Sequence, residues 1–182
     1  MKVIVFTGMP FSGKSVAVQL AKDYGISVIR MGDMIWEETK KQELELNDKN
    51  VGMIANQMRK EHGMDIWARR TLEKTKSMNK EEIVVIDGVR NNEEIETFKQ
   101  ELDGDFVVVA IKASTETRHQ RGMNRGRQDD SKDEKQIKER DQREIGWGLN
   151  KVIDNADIAI ENEGNIDEFK EEINKLLDEF SG

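Results

Sequence analysis

The stretch Gly8-Met9-Pro10-Phe11-Ser12-Gly13-Lys14-Ser15 decides how this chain folds. It follows a short apolar run, Val3 to Thr7, and it opens a segment whose apolar residues have helical spacing. The pattern G-x-x-x-x-G-K-[S/T] between a strand and a helix is typical of a loop whose backbone N–H groups surround phosphate. We therefore expect these eight residues to bind the phosphates of ATP or GTP. Lys14 is expected to reach the β- and γ-phosphates, and the Ser15 hydroxyl to bind Mg²⁺.

Continuous runs of Val and Ile mark the buried strands, since parallel strands are covered on both faces. The runs are Val3 to Thr7, Ile83 to Asp87, Phe106 to Ile111 and Ala156 to Ile160, with a weaker one at Ile26 to Ile29. Helical stretches lie between them, and the last one has an apolar face running from Ile166 to Phe180. This alternation predicts an α/β fold with an open parallel sheet and helices on both faces.

Two segments are longer than a minimal strand–helix unit requires. Residues from about 33 to 80 form a mostly helical insertion between the second and third strands, and residues from about 114 to 150 form a charged one between the fourth and fifth. Because no internal repeat, linker or second domain is visible, residues 1–182 are expected to form a single domain. We expect the first insertion to bind an acceptor and the second to act as a lid.

Composition excludes several classes of function. The chain has 37 Asp and Glu against 29 Lys and Arg, and its net charge of -8 argues against non-specific binding to nucleic acid or to an anionic membrane. It has no cysteine, which excludes disulfides, thiolate metal sites and cysteine nucleophiles. No apolar run approaches the roughly 20 residues of a membrane span. A soluble, cytoplasmic protein is expected, with nucleic acid an unlikely partner.

Two aspartates are candidates for chemistry. Asp87 ends an apolar strand, where a carboxylate would hold Mg²⁺ directly or through water, and we favour this role over the alternative of a cap on the next helix. Asp33 follows the weak second strand, and the carboxyl ends of parallel strands surround the ligand crevice. It is a candidate general base for an acceptor hydroxyl, and the alternative is a cap on a helix that starts at Met34.

Arginines are concentrated in the two insertions. The adjacent pair Arg69 and Arg70 fits a phosphate or carboxylate on an acceptor, and the alternative is a solvated helix face paired with acids. The second insertion carries six of the eleven arginines: Arg118, Arg121, Arg125, Arg127, Arg140 and Arg143. Arginines on a closing lid stabilise a transferring phosphoryl group, but the interleaved acids also suit a salt-bridged surface helix. We take Arg121 and Arg125 as the catalytic candidates.

The order of these features resembles the nucleoside and nucleotide monophosphate kinase group of P-loop proteins. The motifs that carry the resemblance are the phosphate loop, Gly32-Asp33-Met34, Asp87-Gly88-Val89-Arg90, the Arg-rich lid, Ala156-Asp157 and Asn162-Glu163-Gly164. It covers essentially the whole chain and is strongest with an archaeal family related to adenylate kinase and dephospho-CoA kinase. It implies the P-loop NTPase fold, a five-stranded sheet of order 2-3-1-4-5, Arg90 on the acceptor, and adenine near Arg125, Arg127 and residues 162–165.

The resemblance leaves the acceptor open. Gly32-Asp33-Met34 and Asp87-Gly88-Val89-Arg90 look like the adenylate kinase segments that contact the acceptor nucleotide, but they lack that family's proline and early arginine. Arg140-Asp141-Gln142 and the C-terminal third look like dephospho-CoA kinase, whose catalytic aspartate corresponds to Asp33.

The sequence therefore predicts an Mg²⁺- and ATP-dependent kinase acting on a small nucleotide-like metabolite, of the nucleoside monophosphate or dephospho-CoA type. The alternative is a nucleotide-dependent regulatory or assembly ATPase without a small-molecule acceptor. A catalytically silent binding module is a third possibility, and the presence of Lys14, Ser15 and Asp87 argues against it.

Overall fold

Five parallel strands form the centre of the molecule. A computed structural model describes residues 1–75, 82–102, 105–125 and 133–181. The strands are β1 (Lys2–Thr7), β2 (Ser27–Arg30), β3 (Ile83–Asp87), β4 (Asp105–Lys112) and β5 (Ile158–Glu161), in the order β2-β3-β1-β4-β5. The central β1 pairs with β3 and with β4, so that Val5 lies opposite Ile86 on one side and Val108 on the other. The predicted fold class and strand order are confirmed.

In the described part of the chain, one or more helices follow each of the five strands. They are α1 (Lys14–Asp23), α2 (Met31–Lys41), α3 (Asp48–His62), α4 (Ile66–Thr75), α5 (Asn92–Glu101), α6 (Thr115–Asn124), α7 (Glu134–Gly146), α8 (Leu149–Asp154) and α9 (Ile166–Ser181). The first insertion thus contains α2, α3 and α4, and the second contains α6, α7 and the start of α8. Helix α2 begins at Met31, three residues before the expected start.

Both faces of the sheet are covered, which explains why its strands are apolar throughout. On one face, α1 and α9 pack against the sheet through residues such as Ala17, Phe169 and Ile173. On the other, the helices of the first insertion and α5 contribute Trp67 and Phe98. Burying large side chains on both faces makes the sheet a rigid base, because protein interiors are close-packed.

The carboxyl ends of the strands meet at one edge, and the segments of chemical interest leave from that edge. The phosphate loop follows β1, Asp87 ends β3, and Asn162 follows β5. Side-chain caps start the neighbouring helices: Asn47 accepts a hydrogen bond at the start of α3, and Asn91 does so for α5. Parallel α/β sheets bind ligands in the crevice at this edge.

Within the described ranges, no helix has the length and apolar character needed to cross a bilayer.

Candidate active site

The phosphate loop is wrapped tightly between β1 and α1. Gly8 and Gly13 have φ angles of 145° and 116°, a conformation that side chains disfavour. A Cβ atom on Gly13 would also overlap the side-chain amide of Asn162. Phe11 is a non-glycine residue with a positive φ of 65°, so the loop holds a bulky side chain in an uncommon conformation. The two glycines are therefore required by the loop's shape as well as by the phosphate motif.

The Lys14 side chain folds back over its own loop. Its Nζ donates hydrogen bonds to the carbonyl oxygen of Gly8 at 2.6 Å and to that of Met9 at 3.0 Å. Burial, together with the positive charge of Arg90, lowers the pKa of Lys14 to about 7, although Asp87 and Glu144 act in the opposite direction. A phosphate placed beside Nζ would favour the charged form of the amine. The loop is thus arranged to receive negative charge.

Ser15 and Asp87 line the same cavity and fit a magnesium site. Oδ1 of Asp87 is buried without a hydrogen-bond partner among the described residues, and Oδ2 lies 3.7 Å from Nε of Arg30. No cluster of three or more His, Asp or Glu ligands occurs among the described residues. Mg²⁺ needs no such cluster, since it commonly binds one or two protein oxygens plus water and substrate phosphates.

One cavity of about 380 Å³ joins the phosphate loop to both insertions. Its walls include Gly32 and Trp36 from the α2 side, and residues of α3. The positively charged residues that line it are Lys14, Lys22, Arg30, Arg59, Arg90, Arg121, Arg125, Arg140 and Arg143. The acids that line it are Asp48, Asp87 and Glu144. A chain with a net charge of -8 therefore concentrates positive charge around this cavity, as the binding of a polyanion requires.

Arginines of the second insertion lie against the phosphate loop. Arg121 donates to the carbonyl oxygen of Asn162 at 2.8 Å and to that of Ser12 at 3.4 Å. The guanidinium group of Arg125 lies 5.2 Å from the centre of the Phe11 ring, within the range of a cation–π contact. Both predicted catalytic arginines thus line the cavity, whereas Arg127 lies outside the described residues.

Arg118 holds the insertion in place. It is buried, it donates to both carboxylate oxygens of Asp141 at 3.0 and 2.9 Å, and it donates to the carbonyl oxygen of Pro10 at 3.1 Å. Because its hydrogen bonds join α6, α7 and the loop, its contacts are structural.

Asp33 and Arg90 lie on the acceptor side, in different environments. Asp33 occupies the first turn of α2, and its side chain is 46% exposed and lies 3.5 Å from Arg30. Asp33 itself does not line the cavity, whereas its neighbour Gly32 does. Arg30 occupies the N-cap position of α2, so Asp33 is not the residue at which the helix begins. Arg90 does line the cavity and pairs with Glu144 at 2.6 Å. The roles assigned to both residues stay predictions.

Arg69 and Arg70 are directed to other partners. Arg69 is about half exposed, pairs with Asp65 at 2.9 Å and donates to the carbonyl oxygen of His62. Arg70 pairs with Glu38 at 2.7 Å and lies 5.3 Å from the centre of the Trp67 ring. Neither residue lines the cavity that contains the phosphate loop. Their predicted contact with an acceptor remains untested, and in this structure the two guanidinium groups join helices of the first insertion.

Sequence reasoning missed the contact between α3 and α7, which supplies the far wall of the cavity. Asp48 pairs with Arg143 at 2.8 Å and with Arg140 at 3.6 Å. Burial acts to raise the pKa of Glu144, but Arg90, Arg140 and Lys14 outweigh it and hold that pKa at about 2. The sequence did carry one indication of this wall, namely residues that helical spacing puts on a single face of α3. They are Asp48, Val51, Gly52, Ala55 and Arg59.

Residues 7–138 match the protein-family model described as AAA domain. A UPF0200 protein of Methanosarcina acetivorans is 41% identical over 180 residues, covering 99% of this chain and 96% of that protein. A UPF0200/UPF0201 protein of Archaeoglobus fulgidus is 42% identical over 97% of this chain, which spans only 55% of that longer relative. Both relatives extend the similarity beyond the phosphate loop to nearly the whole chain.

Two solved structures share the fold at 18% identity. TT1252 of Thermus thermophilus superposes with a TM-score of 0.67, covering 99% of this chain and 98% of that one. The shikimate kinase of Aquifex aeolicus superposes with a TM-score of 0.51, covering 97% of this chain and 94% of that one. At this level of identity the likeness concerns the fold, which is that of P-loop kinases.

Proposed function

The chain belongs to the UPF0200 family and to the AAA domain family of P-loop kinase-like proteins, and we propose that it transfers a phosphoryl group from Mg²⁺-ATP to a small nucleotide-like acceptor. The acceptor class we propose is a nucleoside monophosphate or a molecule of the dephospho-CoA type. We further propose a cytoplasmic protein without a nucleic-acid partner, consistent with its acidic charge.

The observation that carries this proposal is the single cavity shared by the phosphate loop and the two insertions. Lys14 and Ser15 lie at one end, Gly52 and Ala55 of α3 lie on the opposite wall, and Arg121 and Arg125 border the loop. A simple nucleotide-binding module needs only the loop. A cavity that continues past the γ-phosphate position to a second wall has room for a second reactant.

The chemistry requires little from the protein beyond position and charge. The bond between the γ-phosphorus and the oxygen bridging it to the β-phosphate breaks, and a bond from an acceptor oxygen to that phosphorus forms. Lys14, Arg121 and Arg125 would stabilise the negative charge on the transferring group. For a hydroxyl acceptor, Asp33 would take the proton or orient the hydroxyl; an ionised phosphate acceptor has no proton to lose.

Mg²⁺, where bound, would neutralise the charge of the β- and γ-phosphates. The Ser15 hydroxyl and the unpartnered Oδ1 of Asp87 are the oxygens that would hold it, directly or through water. ATP is the proposed nucleotide, with GTP as the alternative, since the loop contacts only phosphate.

Mass spectrometry of purified protein with Mg²⁺-ATP tests the proposal directly. The acceptors are AMP, CMP, UMP, GMP and dephospho-CoA, with a tube lacking acceptor and the variant Lys14→Ala as controls. We expect one phosphorylated acceptor, formed one-for-one with ADP and absent in the variant. ADP and free phosphate in every tube, unchanged by any acceptor, would contradict the kinase function and favour the ATPase alternative.

A further inference from the structure

Arg59 is a buried cation on the acceptor side of the cavity. It lies on α3, only 3% exposed, and borders the cavity. Its Nη2 donates to Oε1 of Glu94 at 2.8 Å, and Glu94 is fully buried. Nε and Nη1 have no hydrogen-bond partner among the described residues. Buried donors without partners are uncommon in folded proteins and costly to leave unsatisfied, so these two donors are available to a partner that is not among the described residues, such as a ligand.

The guanidinium group of Arg59 is held in one orientation. Its carbon lies 4.2 Å from the centre of the Trp147 ring, and Nε1 of Trp147 donates to Oδ1 of Asn56 at 3.2 Å. Glu94 also accepts a hydrogen bond from the backbone N–H of Arg90 at 2.7 Å, which ties Arg59 to the segment after β3. An arginine fixed in this way loses little rotamer freedom when it binds a ligand.

The wall between Arg59 and the start of α3 is formed by small uncharged residues, with the guanidinium group of Arg143 lying over Gly52. Val51, Gly52 and Ala55 lie on the same face of the helix, and Trp36 lines the cavity from the α2 side. From Asp48 to Arg59 that face is about 16 Å long, at 1.5 Å per residue. This length accommodates a molecule of nucleotide size, with its apolar or planar part along the helix and an anionic group at Arg59.

We propose that Arg59 binds the acceptor and selects acceptors that carry an anionic group, either a phosphate or a carboxylate. The inference rests on the proposed phosphotransferase function, because it takes the α3 wall as the acceptor site. Glu94 and Trp147 are the residues that position Arg59. Arg69 and Arg70, the arginines that the sequence made conspicuous, have no part in this subsite.

Calorimetric binding to protein saturated with Mg²⁺ and a non-hydrolysable ATP analogue tests the inference without turnover. The probes are AMP and dephospho-CoA, which carry phosphate, shikimate, which carries carboxylate, and uncharged adenosine. Arg59→Lys keeps a cation beside Glu94 but loses the planar group and its donors. The double variant Arg59→Met with Glu94→Gln removes both charges, so that no buried charge is left unpaired. Lys99→Met, which removes a half-exposed cation of α5 outside the cavity, is the control.

We expect wild type to bind at least one anionic probe more tightly than adenosine, and both Arg59 variants to bind that probe at least about 10-fold more weakly. The affinity for the ATP analogue, and all affinities of Lys99→Met, should stay at wild-type values. If the Arg59 variants weaken the binding of the phosphate probes alone, the anionic group of the acceptor is a phosphate. If they weaken the binding of shikimate alone, it is a carboxylate.

Folded Arg59 variants that bind every probe as wild type does would overturn the inference, as would a wild-type protein that prefers adenosine or binds no anionic probe. Failure of the phosphotransferase function would look different. It would appear as ADP formed without a phosphorylated acceptor in wild-type protein, whatever the Arg59 variants bind.

Discussion

The two ends of the cavity are built in different ways. At the loop end, eight consecutive residues form the site largely from their backbone, and Gly8 and Gly13 adopt the conformations that this requires. At the opposite end, side chains from distant segments meet, as when Arg143 of α7 reaches Asp48 of α3 across 95 positions of sequence. The phosphate motif is thus encoded locally, while the α3 wall of the cavity exists only once the two insertions have folded together.

The two ends also differ in charge. At the loop end, burial and the positive charge of Arg90 lower the pKa of Lys14 to about 7 and outweigh the opposite effects of Asp87 and Glu144. At the wall, Asp48 and Glu144 already neutralise arginines, and the pKa of Glu144 is held at about 2. The phosphates of the donor would therefore bind where positively charged side chains predominate. An acceptor has to compete with carboxylates of the protein itself, which is a source of selectivity.

Removing the cation of the loop end should have the largest effect. Lys14→Ala is predicted to lower phosphoryl transfer by about 10³-fold or more, because the γ-phosphoryl loses its nearest fixed charge. ADP formation under saturating Mg²⁺-ATP measures it. Lys99→Ala, on the exposed side of α5, is the control and should be normal. Wild-type turnover in Lys14→Ala would contradict the phosphate-loop mechanism.

Breaking the link between the two ends should cost stability. Arg118→Met leaves the buried carboxylate of Asp141 without its main partner and should lower the free energy of unfolding by about 3 kcal/mol. Denaturant unfolding measures it. Arg69→Met removes a half-exposed ion pair, so its expected loss is below about 1 kcal/mol. An equal loss of unfolding free energy in the two variants would contradict the structural role of Arg118 in joining α6, α7 and the loop.

The acceptor side is sharpened by Asp33→Asn. If Asp33 is the general base, kcat should fall by about 10²-fold while the affinity for ATP changes little, since Asp33 does not line the cavity that contains the phosphate loop. The comparison variant is Asp65→Asn, a carboxylate of the same insertion that pairs with Arg69. An unchanged kcat in Asp33→Asn would leave Asp33 as a partner of Arg30 alone.

The smallest predicted effect is a proton taken up when ATP binds. Lys14 has a pKa of about 7 in the ligand-free protein and a usual value of 10.5. Near pH 8.5 the free amine is mostly neutral, and bound phosphates should restore its proton, so binding should take up about one proton. Calorimetry in buffers of different ionisation enthalpy measures this uptake. In Lys14→Met, uptake equal to that of wild type would assign the proton to another group.

The same lowered pKa has a consequence for stability. Between pH 7 and 10.5 the unfolded chain binds more protons at Lys14 than the folded, ligand-free protein does. Burial of this group therefore opposes folding fully below pH 7, and that penalty disappears as the pH rises to 10.5, so the free energy of unfolding increases through this window. Lys14→Met should flatten that part of the curve of unfolding free energy against pH.

The fold was predictable because its determinants are local. The Val and Ile runs mark the strands, and the residues from Gly8 to Ser15 form a complete phosphate motif. The strand order followed from the family resemblance and not from any property of the strands themselves. The position of Asp87 was predictable because it ends β3 at the edge where the loop also lies. Its role with Mg²⁺ stays a prediction.

The α3 wall of the cavity was not predictable in the same way. Arg69 and Arg70 stand out because they are adjacent, yet neighbours on a helix point in directions about 100° apart, and here they reach Asp65 and Glu38 separately. Arg59 looks unremarkable in sequence, and its character comes from Glu94 and Trp147, which only tertiary packing brings to it. Local patterns carry no record of such contacts.

The fate of the γ-phosphoryl group is the most direct test of the central claim, that one cavity holds both donor and acceptor. Phosphorus NMR of wild-type protein with Mg²⁺-ATP and the acceptor panel follows that group in a single experiment. The account predicts that the γ resonance is replaced by the resonance of a phosphorylated acceptor, which forms far faster than inorganic phosphate does. Conversion to inorganic phosphate alone, at the same rate with and without every acceptor, would contradict it.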